Sequence, residues 1–97
     1  MSDIIDNETA HRFEVTKDGH TAELTYRTDA GRLVLIHTGV PDELSGHGLA
    51  GELVKAAVRK AATEGLTIVP LCPYAREWLQ KHDDAAADVT IDWQASS

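Results

Sequence analysis

Ser45-Gly46-His47-Gly48-Leu49-Ala50-Gly51 places three glycines in seven residues, just where the longest helical apolar pattern of the chain begins. Glycine lets a backbone turn tightly and aim several N–H groups at one point, and a helix N-terminus adds unpaired donors and a partial positive charge. Such a loop suits an anion, for example a pyrophosphate. The same residues also make an ordinary loop with Ser45 as a helix cap. Neither the Gly-Lys-Ser/Thr of a P-loop nor the spacing of a dinucleotide fingerprint is present.

A second group of reactive side chains follows. Cys72 stands at the end of a strand and just before a helix start, where the helix dipole favours a thiolate. It is either a thiol that takes part in chemistry or a small buried hydrophobe. Tyr74, early in that helix, is either a proton donor or an amphipathic core residue with a bonded hydroxyl. His37 alternates with Leu33 and Leu35, which predicts a hydrogen-bonded core histidine on their face. An imidazole titrates near about 6.5, so His37 is also a candidate general base. His47 in the glycine loop either touches the anion or is solvated. His11, His20 and His82 read as surface residues, and no histidine pair has the helical spacing of metal ligands, so no metal site is expected.

Hydrophobic periodicity defines the elements that must position these groups. Residues 1–10 read as a loose polar arm. Phe13 and Val15 alternate with Arg12, Glu14 and Thr16, a half-buried strand, and Lys17-Asp18-Gly19-His20 is a turn. Ala22, Leu24 and Tyr26 alternate with Glu23, Thr25 and Arg27, a second strand. Arg32 to Thr38, apolar on both faces at Leu33-Val34-Leu35-Ile36, predicts a central strand covered on both sides. Leu49 to Glu64 predicts a helix, with Leu49, Leu53, Ala57 and Ala61 inward and Glu52, Lys55, Arg59 and Thr63 outward. Gly65 ends it. Leu66 to Leu71 is a fourth strand, parallel to the third through that helix. Pro73 opens a second helix reaching about Lys81. Val89, Ile91 and Trp93 suggest a short last strand. The fold class is α+β: a mixed, mostly antiparallel sheet with one long helix and one shorter helix, in a single domain spanning 1–97.

Composition narrows the partners. The 97 residues carry 16 Asp+Glu against 9 Lys+Arg, a net charge of −7, which argues against a nucleic-acid or anionic-membrane surface. Residues 45–81 hold five of the nine cations and three of the sixteen acids, so a mildly basic stretch containing the glycine loop sits in an acidic body. That balance admits a small anionic ligand and favours a cationic second partner. One cysteine excludes a disulfide framework, and the longest apolar run, Leu33 to Ile36, is too short to span a membrane. These features predict a cytoplasmic protein, monomeric or a weak homodimer through its open sheet edges.

Thr38-Gly39-Val40-Pro41, then Gly46-His47-Gly48-Leu49-Ala50-Gly51, then Val69-Pro70-Leu71-Cys72-Pro73-Tyr74-Ala75-Arg76 with Trp78 beyond, together resemble the short YjdJ-type subgroup of the GNAT acetyltransferase superfamily. The likeness runs from about Phe13 to His82. It implies a trimmed acyl-CoA N-acetyltransferase fold, with acetyl-CoA as co-substrate and a small amine or a protein amine as acceptor. The backbone of Ser45, Gly46, His47, Gly48, Leu49, Ala50 and Gly51 would hold the pyrophosphate. The main chain of His37, Thr38, Gly39 and Val40 would hold the thioester and pantetheine. Cys72, Tyr74 and His37 would be the catalytic candidates. The full-length fold has extra N-terminal helices that wall the acceptor site, and this chain has a short turn in their place. A CoA- or acyl-CoA-binding module without catalysis is the alternative.

Overall fold

The computed structural model describes residues 4–46 and 48–93. Strands β1 (Ile5–Asn7), β2 (Arg12–Lys17), β3 (His20–Asp29) and β4 (Arg32–Gly39) precede helix α1 (Leu49–Glu64), strand β5 (Thr67–Pro70) and helix α2 (Pro73–Lys81). Among the described residues these strands form one sheet in the order β1-β2-β3-β4-β5. β1 to β4 pair antiparallel, and β4 and β5 pair parallel.

Local sequence explains the meander. Asp18 (φ 53°) with Gly19 (φ 79°), and Ala30 (φ 52°) with Gly31 (φ 79°), form two-residue loops whose paired positive φ values match the twist of the strands they join. The alternation expected of β2 and β3 is realised: Phe13, Val15, Ala22, Leu24 and Tyr26 are all buried. They meet Leu53, Val54, Ala57, Val58 and Ala61 of α1 and Ala75, Trp78 and Leu79 of α2 in one continuous core. Leu24, Leu33, Leu35, Leu53 and Leu79 are fully enclosed, each contributing on the order of 2 kcal/mol. The boundaries of both helices agree with the periodic pattern.

The sequence expectation fails in three places. Residues 5–7 are not a loose arm: β1 pairs with β2 through Ile5↔Glu14, Asp6↔Phe13 and Asn7↔Arg12. Asn7 Oδ1 closes the following turn by accepting the Ala10 N–H at 3.1 Å. Asp6 reaches both the Tyr26 hydroxyl and Lys60 of α1, and these ties hold the strand where its own apolar content would not. The short last strand reduces to one parallel bridge, Ile68↔Ile91, on the far edge of β5. And β4 is not covered on both faces throughout, because Ile36 is 39% exposed.

Candidate active site

β4 outruns β5. Their register ends at Leu35↔Pro70, where the Leu35 carbonyl accepts the N–H groups of both Leu71 (3.0 Å) and Cys72 (2.9 Å). From there the two strands part, and the β4 main chain beyond Leu35 has no strand partner on its β5 side among the described residues. A β-bulge lies at the same point. On β3, Tyr26 pairs with Leu35 but Thr25 pairs with His37, which leaves Ile36 as the extra residue.

The bulge reverses the facing of everything after it. Thr38 pairs with the fully buried Leu24, so its side chain joins the core face, and His37 turns to the opposite face. His37 is exposed, which corrects the expectation of a core histidine beside Leu33 and Leu35. An unbroken alternation was assumed in that expectation, and one inserted residue inverts it.

Thr38 Oγ1 lies 3.2 Å from Cys72 Sγ, so the ends of β4 and β5 are joined through side chains across the point where they part. Cys72 is 3% exposed and is the N-cap residue of α2. Tyr74, two residues on, is 42% exposed. Partial burial, and then the electrostatic influence of Glu77, hold its hydroxyl above the usual tyrosine range. The phenol is therefore a proton donor at neutral pH, accessible to solvent.

Pro41 and the 3₁₀ turn Asp42–Leu44 lead from β4 into the glycine loop. Leu44, 1% exposed, plugs this segment into the core and anchors the loop. That anchor was not anticipated, although an isolated Leu among Asp42, Glu43 and Ser45 was its signal. Gly46 (φ 84°) and Gly48 (φ 71°) both adopt the left-handed conformation, and a Cβ on either would meet open space. Gly48 is the N-cap of α1, and among the described residues no side chain caps that end. The amides of its first turn suit an anion. His47 lies outside the described residues. Gly51 has a different role from its loop neighbours: it is buried in α1, and a Cβ there would sit 2.8 Å from Trp78 Nε1. It is the small residue that lets α2 pack against α1.

Val40, Leu44, Ser45, Gly46, Gly48, Leu49, Ala50 and Tyr74 line one cavity of about 260 Å³. It brings together the end of β4, the loop, the bare end of α1 and the phenol of α2. Lysine and arginine are absent from its lining, so an anion here would be held by main-chain N–H groups and the helix dipole.

Residues 12–89 match the model of the GCN5-related N-acetyltransferases. The chain belongs to that family. The solution structure of a GCN5-like protein from Staphylococcus aureus that carries an N-acetyltransferase designation is 34% identical to it, with a TM-score of 0.70 over 95% of this chain and 92% of that one. Membership in the family supports acetyltransferase activity. Among the described residues, no group of three or more His, Cys, Asp or Glu side chains could hold a metal ion, and no helix is long and apolar enough to cross a membrane.

Proposed function

We propose that this family member is an acetyl-CoA-dependent N-acetyltransferase acting on an amine. The observation that carries the reading is the shared cavity, in which the bare N-terminus of α1 and the Tyr74 phenol converge beside the end of β4 that has parted from β5. The likeness to the short YjdJ-type subgroup, whose members join a glycine loop to a Cys-Pro-Tyr segment, supports the same reading. The residues suit the coenzyme: left-handed glycines leave space in front of the loop, and the exposed main chain of His37 to Val40 offers an extended edge for a pantetheine arm. Bound there, acetyl-CoA supplies an activated acetyl thioester.

The chain's own residues do the rest. Main-chain groups of Ser45, Gly46, Gly48, Leu49 and Ala50 bind pyrophosphate. The edge of Thr38, Gly39 and Val40 orients the thioester. Tyr74, exposed in the shared cavity, donates a proton to the departing thiolate. His37 on the open face accepts a proton from the amine. Cys72 is buried with its sulfur on Thr38, an arrangement suited to fixing the β4 end rather than to carrying an acetyl group. The protein would work on cytoplasmic acetyl-CoA.

Calorimetry with CoA, followed by an acetylation screen over amines and peptides, tests the reading. Binding with turnover supports it; binding without turnover makes the chain a coenzyme-binding module, and no binding overturns both. Rapid-quench mass spectrometry separates the chemistries: an acetyl adduct on Cys72 would contradict direct transfer.

A further inference from the structure

Between the outer side of α1 and the segment that follows α2 lies a cavity of about 290 Å³, lined by Lys55, Val58, Arg59, Ala62, Ala85 and Asp88. α1 supplies the first four of these residues at helical spacing. The other two belong to the turns from Asp83 to Asp88, which Ala86 anchors in the core. The N–H groups of Ala85, Ala86 and Val89 donate to the carbonyls of His82, Asp83 and Ala86 at 3.0, 3.2 and 3.2 Å. Further on, Ile91 bridges to Ile68 of β5. Both walls are therefore set by the fold, and the cavity needs no ligand to form. Its charges do not close on themselves. Lys55 Nζ is 3.2 Å from Glu52 Oε2, three residues back on α1. Arg59 and Asp88 come from different walls, and neither has a hydrogen-bond or ion-pair partner among the described residues. With Lys55 matched by Glu52, one cation and one anion remain, beside the apolar Val58, Ala62 and Ala85.

We propose that this cavity binds a free α-amino acid with a short aliphatic side chain, its carboxylate on Arg59 and its ammonium on Asp88. Carboxylate against guanidinium and ammonium against carboxylate are both charge-assisted hydrogen bonds. A simple anion would suit Arg59 but be repelled by Asp88, and a simple cation would meet the reverse. Only a ligand with one charge of each sign satisfies both walls. The volume lies at the lower bound for small-molecule sites, about 300 Å³, which favours a single amino acid over a peptide. The inference is independent of the acetyl-CoA reading, because this cavity shares no lining residue with the one at Gly48 and Tyr74. Bound there, the amino acid ties α1 to the segment behind α2. It acts as an effector of their packing and not as the acetyl acceptor.

Amide chemical-shift titration of the protein with L-valine tests this without coenzyme. Both charges are exposed, where single ion pairs are weak, so half-saturation is expected in the millimolar range. Saturable shifts should centre on Val58, Arg59, Ala62, Ala85 and Asp88. L-valinamide lacks the anionic pole and N-acetyl-L-valine the cationic one, and each should bind about tenfold more weakly. Arg59→Gln should make valine bind no better than valinamide, and Asp88→Asn should make it bind no better than N-acetylvaline. Both positions are exposed and without partners, so the variants keep the folded spectrum. Shifts centred on other residues, no response at the highest soluble concentration, equal binding of the three ligands, or variants that retain valine's full advantage would overturn the inference. CoA at saturation should leave bound valine in place, and displacement of valine by CoA would overturn the separate site.

Discussion

The two ends of α1 are built in opposite ways. Near its C-terminal end, Lys60 is 7% exposed and holds Asp6, Glu8 and Glu64 at 2.7, 3.0 and 3.1 Å. Its ammonium also lies 5.5 Å from the centre of the Tyr26 ring, whose hydroxyl donates to Asp6. Gly65 closes the helix by returning its N–H to the Ala61 carbonyl. The Lys60 ammonium there is matched by three carboxylates. At the other end no side chain among the described residues caps the helix, and Gly46 and Gly48 are left-handed. A glycine N-cap in place of serine or aspartate forgoes only about a few tenths of a kcal/mol. The saturated end fastens β1 and the core, and the bare end retains the donors that an anionic ligand needs. If the proposed site is right, stability and binding are divided along one helix, and each can be perturbed separately.

The largest expected effect lies where α1 meets α2. Gly51→Leu would place its Cβ 2.8 Å from Trp78 Nε1 and force the helices apart, at a cost of about 3 kcal/mol in chemical denaturation. Next, Lys60→Ala removes the cation from under Asp6, Glu8 and Tyr26, with an expected loss of about 2 kcal/mol. The folded fraction should keep its affinity for CoA, measured by calorimetry. If that affinity falls in parallel, the two ends are not independent. At the bare end, Ala50→Glu puts an acid in the first turn, which suits the helix dipole but repels a phosphate. CoA affinity should fall about tenfold while stability changes by less than about 0.5 kcal/mol. Gly48→Val is a poorer probe, because φ 71° strains a branched residue whatever the space around it.

The smallest effect is a pH dependence confined to the saturated end. Burial, then the hydrogen bond to Asp6, raises Tyr26 above its ordinary value of 10.0. Lys60 is lowered by burial but raised more strongly by its bonds to Asp6, Glu8 and Glu64, ending above its ordinary 10.5. Groups whose folded values are raised contribute fully below their unfolded values, and the contribution is lost as pH rises through the folded ones. Denaturation midpoints should therefore hold up to about pH 10 and fall above it. Tyr26→Phe should flatten that alkaline slope, and an unchanged slope would place the titrating group elsewhere.

Much of this was legible in the sequence. The periods of β2, β3 and α1, the Pro73 start of α2, and the glycine loop between a strand and a helix each follow from local pattern. Three features were not legible, for physical reasons. The bulge at Ile36 is invisible because Leu33 to Ile36 is apolar on both faces, and alternation carries no phase in such a run. β1 escaped because its place depends on Asp6 meeting Lys60, fifty-four residues away. Gly51 looked like part of the loop, and only the approach of Trp78 from α2 reveals its role in packing.

The central proposal, that the bare end of α1 and the end of β4 beyond its pairing with β5 form the coenzyme site, is tested most directly by mapping amide chemical shifts as CoA is added to the unaltered protein. The account predicts saturable changes concentrated at Gly46, Gly48, Leu49 and Ala50 and along His37 to Val40, with the saturated end around Lys60 silent. Changes centred instead on the groove of Ile4, Phe13, Ala56 and Arg59 along α1, or no changes at all, would contradict it.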